Sequence, residues 1–185
     1  MDWTAMGIVG APETVLVVIR GNSASGKTSL AHAVRRQTGR EVAIVSQDVV
    51  RRDILWEHET PTGVNIGLMH QMTRYALDHG YHVILEGILK AHAYGDMLAD
   101  LIRDHRGRTS CFYMDIPWEE TLRRHATKPQ AAEYGAELMR QWFKPLDLLP
   151  CVTEHRLDER LTLDEMTNLV IERSGLGRDA FQKEG

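Results

Sequence analysis

The chain has 185 residues, 43% of them apolar, two cysteines and a net charge of −4. That length suffices for one domain with a sizeable core, and the apolar share argues against disorder. No apolar run approaches a membrane span, Met1 to Pro12 lacks the basic-then-apolar order of a secretory signal, and the acidic balance counts against a dedicated nucleic-acid binder.

Hydrophobic periodicity and turn residues predict alternating strands and helices. A β-branched run over 14–19 reads as the first strand, a glycine loop spans 21–28, and a helix opens at Ser29 and stops near Gly39. A short buried strand covers 42–46, a helix 49–57, a loop 58–63 with Pro61 and Gly63, and a helix 64–79. The third strand is predicted over 82–89, a helix over 91–104 and the fourth strand over 109–116. Pro117 suits the first turn of a helix over 118–126. Helices over 131–143 and 163–173 flank a short strand over 153–157, and the tail from Gly177 is polar. Strands alternating with helices imply an α/β fold, a three-layer sandwich around a parallel sheet. Residues 1–185 are expected to form a single domain with its core at about 14–173 and a small helical lid at about 123–150. Cys111 lies in an apolar run far from Cys151, so free thiols in a reducing cytoplasm are expected.

Gly21-Asn22-Ser23-Ala24-Ser25-Gly26-Lys27-Thr28 fits the phosphate-loop pattern G-x-x-x-x-G-K-[ST]. Gly21 and Gly26 let the backbone wrap an anion, and the loop N–H groups with the following helix, from Ser29 on, present partial positive charge. Lys27 is placed to reach the β- and γ-phosphates, and the Thr28 hydroxyl to ligate Mg²⁺. Strand, glycine loop and helix in that order is the context the motif requires.

Ligands of open α/β sheets bind beyond the carboxyl ends of the strands. That edge collects Lys27, Thr28, Asp48, Arg51, Arg52, Glu86, Asp115, Arg123, Arg124 and Lys128. Asp48 is the candidate general base for an attacking hydroxyl, with a helix N-cap as its structural alternative. Arg51, one α-helical turn further, is read as holding the acceptor, and Arg52 as a surface residue. Glu86 follows Val-Ile-Leu as the acid of a Walker B-type strand does, able to hold Mg²⁺ through water or to orient the acceptor. Arg124 and Lys128, spaced four apart, are candidates to neutralise transition-state charge. Trp142 and Phe143 are expected to pack a helix on its neighbour.

Four segments together resemble the small P-loop kinases of the NMP-kinase-like class, in the branch of polynucleotide 5′-kinases, zeta toxins and chloramphenicol phosphotransferase. They are the glycine loop, the Ser46-Gln-Asp-Val-Val-Arg51 stretch, Val83-Ile-Leu-Glu-Gly87, and the run from Asp115-Ile-Pro-Trp to Lys128. The resemblance implies a sheet of five parallel strands with the loop strand central, Asp48 as general base, Arg51 on the acceptor and Arg124 as first lid arginine. Lys128 stands where that family has a second, catalytic arginine; it keeps the charge and loses the planar fork, leaving Lys128, Arg123 or Arg140 to complete the clamp.

The expected activity is Mg²⁺-assisted transfer of the γ-phosphoryl group of ATP to a hydroxyl of a small metabolite, nucleoside or antibiotic. The motifs do not choose between ATP and GTP, although no Asn-Lys-x-Asp guanine-reading segment is present. The alternatives are a polynucleotide 5′-hydroxyl kinase and a nucleotide-switched regulatory NTPase. The oligomeric state is not encoded in these motifs.

Overall fold

A computed structural model describes residues 7–127 and 135–177. Five parallel strands form one sheet in the order β2-β3-β1-β4-β5: β1 Val15–Gly21, β2 Val42–Ser46, β3 His82–Gly87, β4 Arg108–Asp115 and β5 His155–Asp158. The helices are α1 Lys27–Thr38, α2 Val64–Asp78, α3 Ala91–Asp104, α4 Trp118–His125, α5 Ala136–Trp142 and α6 Leu163–Ser174. The expected sandwich and the central place of the loop strand are both observed.

Every residue of β1 is buried, which follows from helices covering both faces of the sheet. Strand alternation sends Val15, Val17 and Ile19 into one core with Leu30, Val34 and Val170, and Leu16 and Val18 into the other with Met69, Leu98 and Leu101. α6 is delimited by local chemistry: a Thr162–Glu165 capping box opens it and Gly175, in the left-handed region, closes it. The N-terminus of α2 is capped from upstream, the Glu57 carboxylate accepting from the backbone N–H groups of Val64 and Asn65.

Two expected elements change. The helix expected over 49–57 is a π-helical turn, Val49–Ile54, closed by Leu55 N–H donating to Val50 O. The third strand ends at Gly87, because Leu89 adopts a left-handed φ of 43° that turns the chain toward α3. The expected helix over 131–143 is present from Ala136 to Trp142; its first part, 131–134, lies outside the described residues. Among the described residues no helix is long and apolar enough to cross a membrane.

Candidate active site

The loop between β1 and α1 sits at the carboxyl edge of the sheet. Gly26 precedes α1 at φ 106° and Gly21 has φ 145°, both costly for a side-chain-bearing residue. A Cβ on Gly21 would also lie 2.8 Å from Met114 O of the neighbouring strand. Lys27 is 8% exposed and donates from Nζ to Asn22 O at 2.7 Å and Ser25 Oγ at 3.4 Å.

Register brings an acidic residue to the same place. Glu86 pairs with Ile19 of β1 and Ser46 of β2. Its Oε1 accepts from Ser46 Oγ at 2.6 Å and Thr28 Oγ1 at 3.1 Å, so a carboxylate only 2% exposed is stabilised by two hydroxyls. Thr28 and Glu86 therefore form one oxygen-rich corner, chemically suited to a hard cation such as Mg²⁺. Among the described residues no group of three or more histidine, cysteine or acidic side chains could hold a metal ion.

Asp48 is positioned by its neighbour. Gln47, 2% exposed, donates from Nε2 to Tyr94 Oη at 2.7 Å and accepts at Oε1 from Leu89 N at 3.2 Å. This ties the end of β2 to the turn after β3. The Asp48 side chain makes no capping hydrogen bond, is 67% exposed, and lines a cavity of about 490 Å³. The same cavity is lined by Ser23, Ala24, Gly26, Lys27, Thr28, Ser29 and Glu86, together with Val49, Arg52, Asp53, Ile88 and His125.

Arg51 is not among the lining residues. Its side chain is 13% exposed, and the guanidinium donates to Glu57 O and Asp48 Oδ1, both at 3.3 Å. Arg52, expected on the surface, lines the cavity with Asp53, and its Nε is 3.4 Å from Asp48 Oδ1. The π-turn explains the displacement of Arg51. Bonds from i to i+5 advance the chain by roughly 80° per residue, against about 100° in an α-helix. Residues 48, 49, 52 and 53 then share a face, Val50 points into the core at 1% exposure, and Arg51 turns aside.

Arg124 reaches the loop from α4, donating from Nη1 to Ser25 O at 2.7 Å and from Nε to Glu120 Oε1 at 2.7 Å. Hydrogen bonds from Arg123 and Arg124 hold the Glu120 carboxyl down to about 2. Arg123 is 73% exposed and engaged with Glu120. Arg140 lies over the Trp118 ring at 5.0 Å, and Trp118 meets Phe143 edge-on at 5.2 Å, so Phe143 packs between helices as expected. Lys128 lies outside the described residues.

A second cavity, about 280 Å³, adjoins the first across Ala24, Gly26 and Ser29. Met114, Arg124, Thr127, Leu161, Leu163 and Met166 complete its lining, giving an apolar slot with one guanidinium at its edge. Sequence reading missed Leu161, Leu163 and Met166, although the carboxyl-edge rule applied to β5 points to the residues that follow it.

The chain belongs to the AAA domain family, whose profile matches residues 16–146. Its fold is that of small P-loop kinases. It is similar to the APS kinase of Mycobacterium tuberculosis solved with AMPPNP and APS (20% identity, 88% of this chain and 98% of that one, TM-score 0.68). It is similar also to a gluconokinase of Sinorhizobium meliloti (15% identity, 95% and 99%, TM-score 0.59). A tunicamycin resistance protein of Deinococcus radiodurans is comparable (16% identity, 89% and 97%, TM-score 0.62). At these identities the likeness is one of fold. No curated protein matches the chain in sequence.

Proposed function

We propose that this protein is an ATP-dependent phosphotransferase that moves the γ-phosphoryl group to a hydroxyl of a small molecule. The observation that carries the reading is that Asp48 and the phosphate loop line one cavity. The kinase names of the fold neighbours are in keeping with it.

In this reading the triphosphate lies along residues 21–29, contacted by Gly21, Asn22, Ser23, Ala24, Ser25, Gly26, Lys27, Thr28 and Ser29. The base enters the apolar slot beside Met114, Leu161 and Met166, with the Arg124 guanidinium at its edge. Thr28, directly, and Glu86, through water, are the residues that would hold Mg²⁺, which when bound neutralises charge on the phosphate oxygens. Asp48 takes the proton of the acceptor O–H as that oxygen bonds to the γ-phosphorus. The bond from the γ-phosphorus to the β,γ-bridging oxygen breaks, and ADP leaves with that electron pair. Lys27 and Arg124 stabilise the charge on the transferring and leaving oxygens, with Lys128 as the further lid cation. Arg51 acts on the acceptor through Asp48, whose Oδ1 it contacts. Residues at about 123–150 serve as the lid of a single domain.

The test is transfer of labelled γ-phosphate from ATP to a panel of alcohols, followed in wild-type protein and in Asp48→Asn. We expect labelled product from wild type and a kcat lower by on the order of 10²–10⁴ in the variant. Equal turnover in the two proteins removes Asp48 as base. Hydrolysis without transfer removes the phosphotransferase.

A further inference from the structure

We propose that the acceptor is an uncharged or amine-bearing polyhydroxylated ring rather than an anion, and that Asp53 selects it. The proposal rests on the phosphotransferase reading and specifies its second substrate.

The cavity divides by origin. Its loop residues, with Glu86 tied to Thr28, form the phosphate side. The rest of the lining is Asp48, Val49, Arg52 and Asp53 of the π-turn, Ile88 beyond β3 and His125 of α4. Among the described residues, the π-turn thus brings two carboxylates and one guanidinium to the acceptor. The guanidinium is directed at the base: Arg52 Nε is 3.4 Å from Asp48 Oδ1, the same oxygen that Arg51 Nη2 contacts at 3.3 Å. Asp53 takes part in no such contact among the described residues and is exposed where it lines the cavity.

A carboxylate in that position accepts hydrogen bonds from hydroxyl or ammonium groups and repels phosphate or carboxylate groups. The repulsion adds to that of a triphosphate in the same cavity. Val49 and Ile88 supply apolar surface in the same cavity, suited to the C–H face of a saturated ring. The π-turn that removes Arg51 from the wall is what sets this balance, because an α-helical turn would bring a second arginine forward in place of Asp53.

The test uses the full chain and a matched panel: glucose, glucosamine, glucuronate and glucose 6-phosphate, with inositol and an aminocyclitol added. ADP release measures transfer, and calorimetry with AMPPNP and Mg²⁺ verifies the donor site separately. The expected result is transfer to neutral or amine-bearing members, with kcat/KM at least about tenfold below them for anionic members. Asp53→Asn should raise KM for the amine-bearing acceptor about tenfold, and Asp53→Lys should shift preference toward anions. KM for ATP should stay within about twofold in both variants. Preference for anionic members in wild type, or unchanged discrimination in both variants, overturns the acceptor class while leaving phosphotransfer standing. Transfer to no member of the panel, with AMPPNP bound, overturns the acceptor class, and phosphotransfer falls with it only if ATP is hydrolysed without transfer to any alcohol.

Discussion

Asn22 holds the backbone of Lys144 from both sides: its Oδ1 accepts from Lys144 N at 2.9 Å, and its Nδ2 donates to Lys144 O at 2.9 Å. One side chain thus joins the phosphate loop to the segment that returns from α5. Asn22→Ala removes both bonds and should destabilise the protein by about 1–2 kcal/mol. Thermal unfolding should report a fall of roughly 2–8 °C in Tm. Nucleotide affinity should weaken along with it, and an unchanged affinity would show that the clasp is purely structural.

Arg20, one residue before the loop, is fully buried. It donates to both Glu154 oxygens at 3.0 and 2.8 Å, to Asp147 Oδ2 at 3.3 Å and to Leu89 O at 2.9 Å. Arg20→Met leaves the buried Glu154 carboxylate without its counter-charge, while Asp147 keeps Lys144 Nζ at 2.7 Å, and should cost about 3–5 kcal/mol. Adding Glu154→Gln to that variant should recover part of the loss, as urea unfolding of the four proteins of the cycle would measure.

The apolar slot makes a prediction about the donor. Leu163 lines it and is 42% exposed, so Leu163→Glu should leave the fold intact while placing a charge beside the base. The Kd for ATP should rise at least about tenfold, equivalent to about 1.4 kcal/mol. A Kd within twofold of wild type would place the base elsewhere.

Acid sensitivity should arise from buried histidines. Burial lowers His105 to about 4, between the Thr14 and Thr109 hydroxyls, and burial with Arg74 lowers His70. The unfolded chain takes up protons as pH falls through about 6.5, whereas folded His105 does so only near 4. The contribution of His105 is therefore complete above about 6.5 and is lost between 6.5 and 4. At about 1.4 kcal/mol per unit it should amount to about 3 kcal/mol. Urea midpoints at pH 7.5 and 5 should show the loss, and His105→Gln should reduce the difference. A midpoint independent of pH in that range would contradict it.

The sequence makes some parts of this site plain and hides others for identifiable reasons. The phosphate loop is local, so its glycines, Lys27 and Thr28 are adjacent in both sequence and space. Glu86 is legible because a carboxylate within an apolar strand requires partners, and parallel register supplies Thr28 and Ser46. Arg51 leaves the wall and Asp53 joins it because one i to i+5 turn rotates the face, whereas Arg52, four residues from Asp48, faces the cavity under either spacing. Nothing in 49–54 announces that turn, since π-helical geometry has no strong residue preference comparable to a cap. The apolar slot is hidden for another reason. Leu161, Leu163 and Met166 follow the last strand, over a hundred residues from the loop, and as apolar residues they read as ordinary core.

Calorimetric titration of AMPPNP with Mg²⁺ into wild-type protein and Lys27→Ala tests the central claim most directly, since every role assigned above depends on a triphosphate in the loop. One site per chain in the wild type, with affinity at least about a hundredfold weaker in the variant, is the predicted result. No heat in the wild type, or equal affinity in the two proteins, would contradict it.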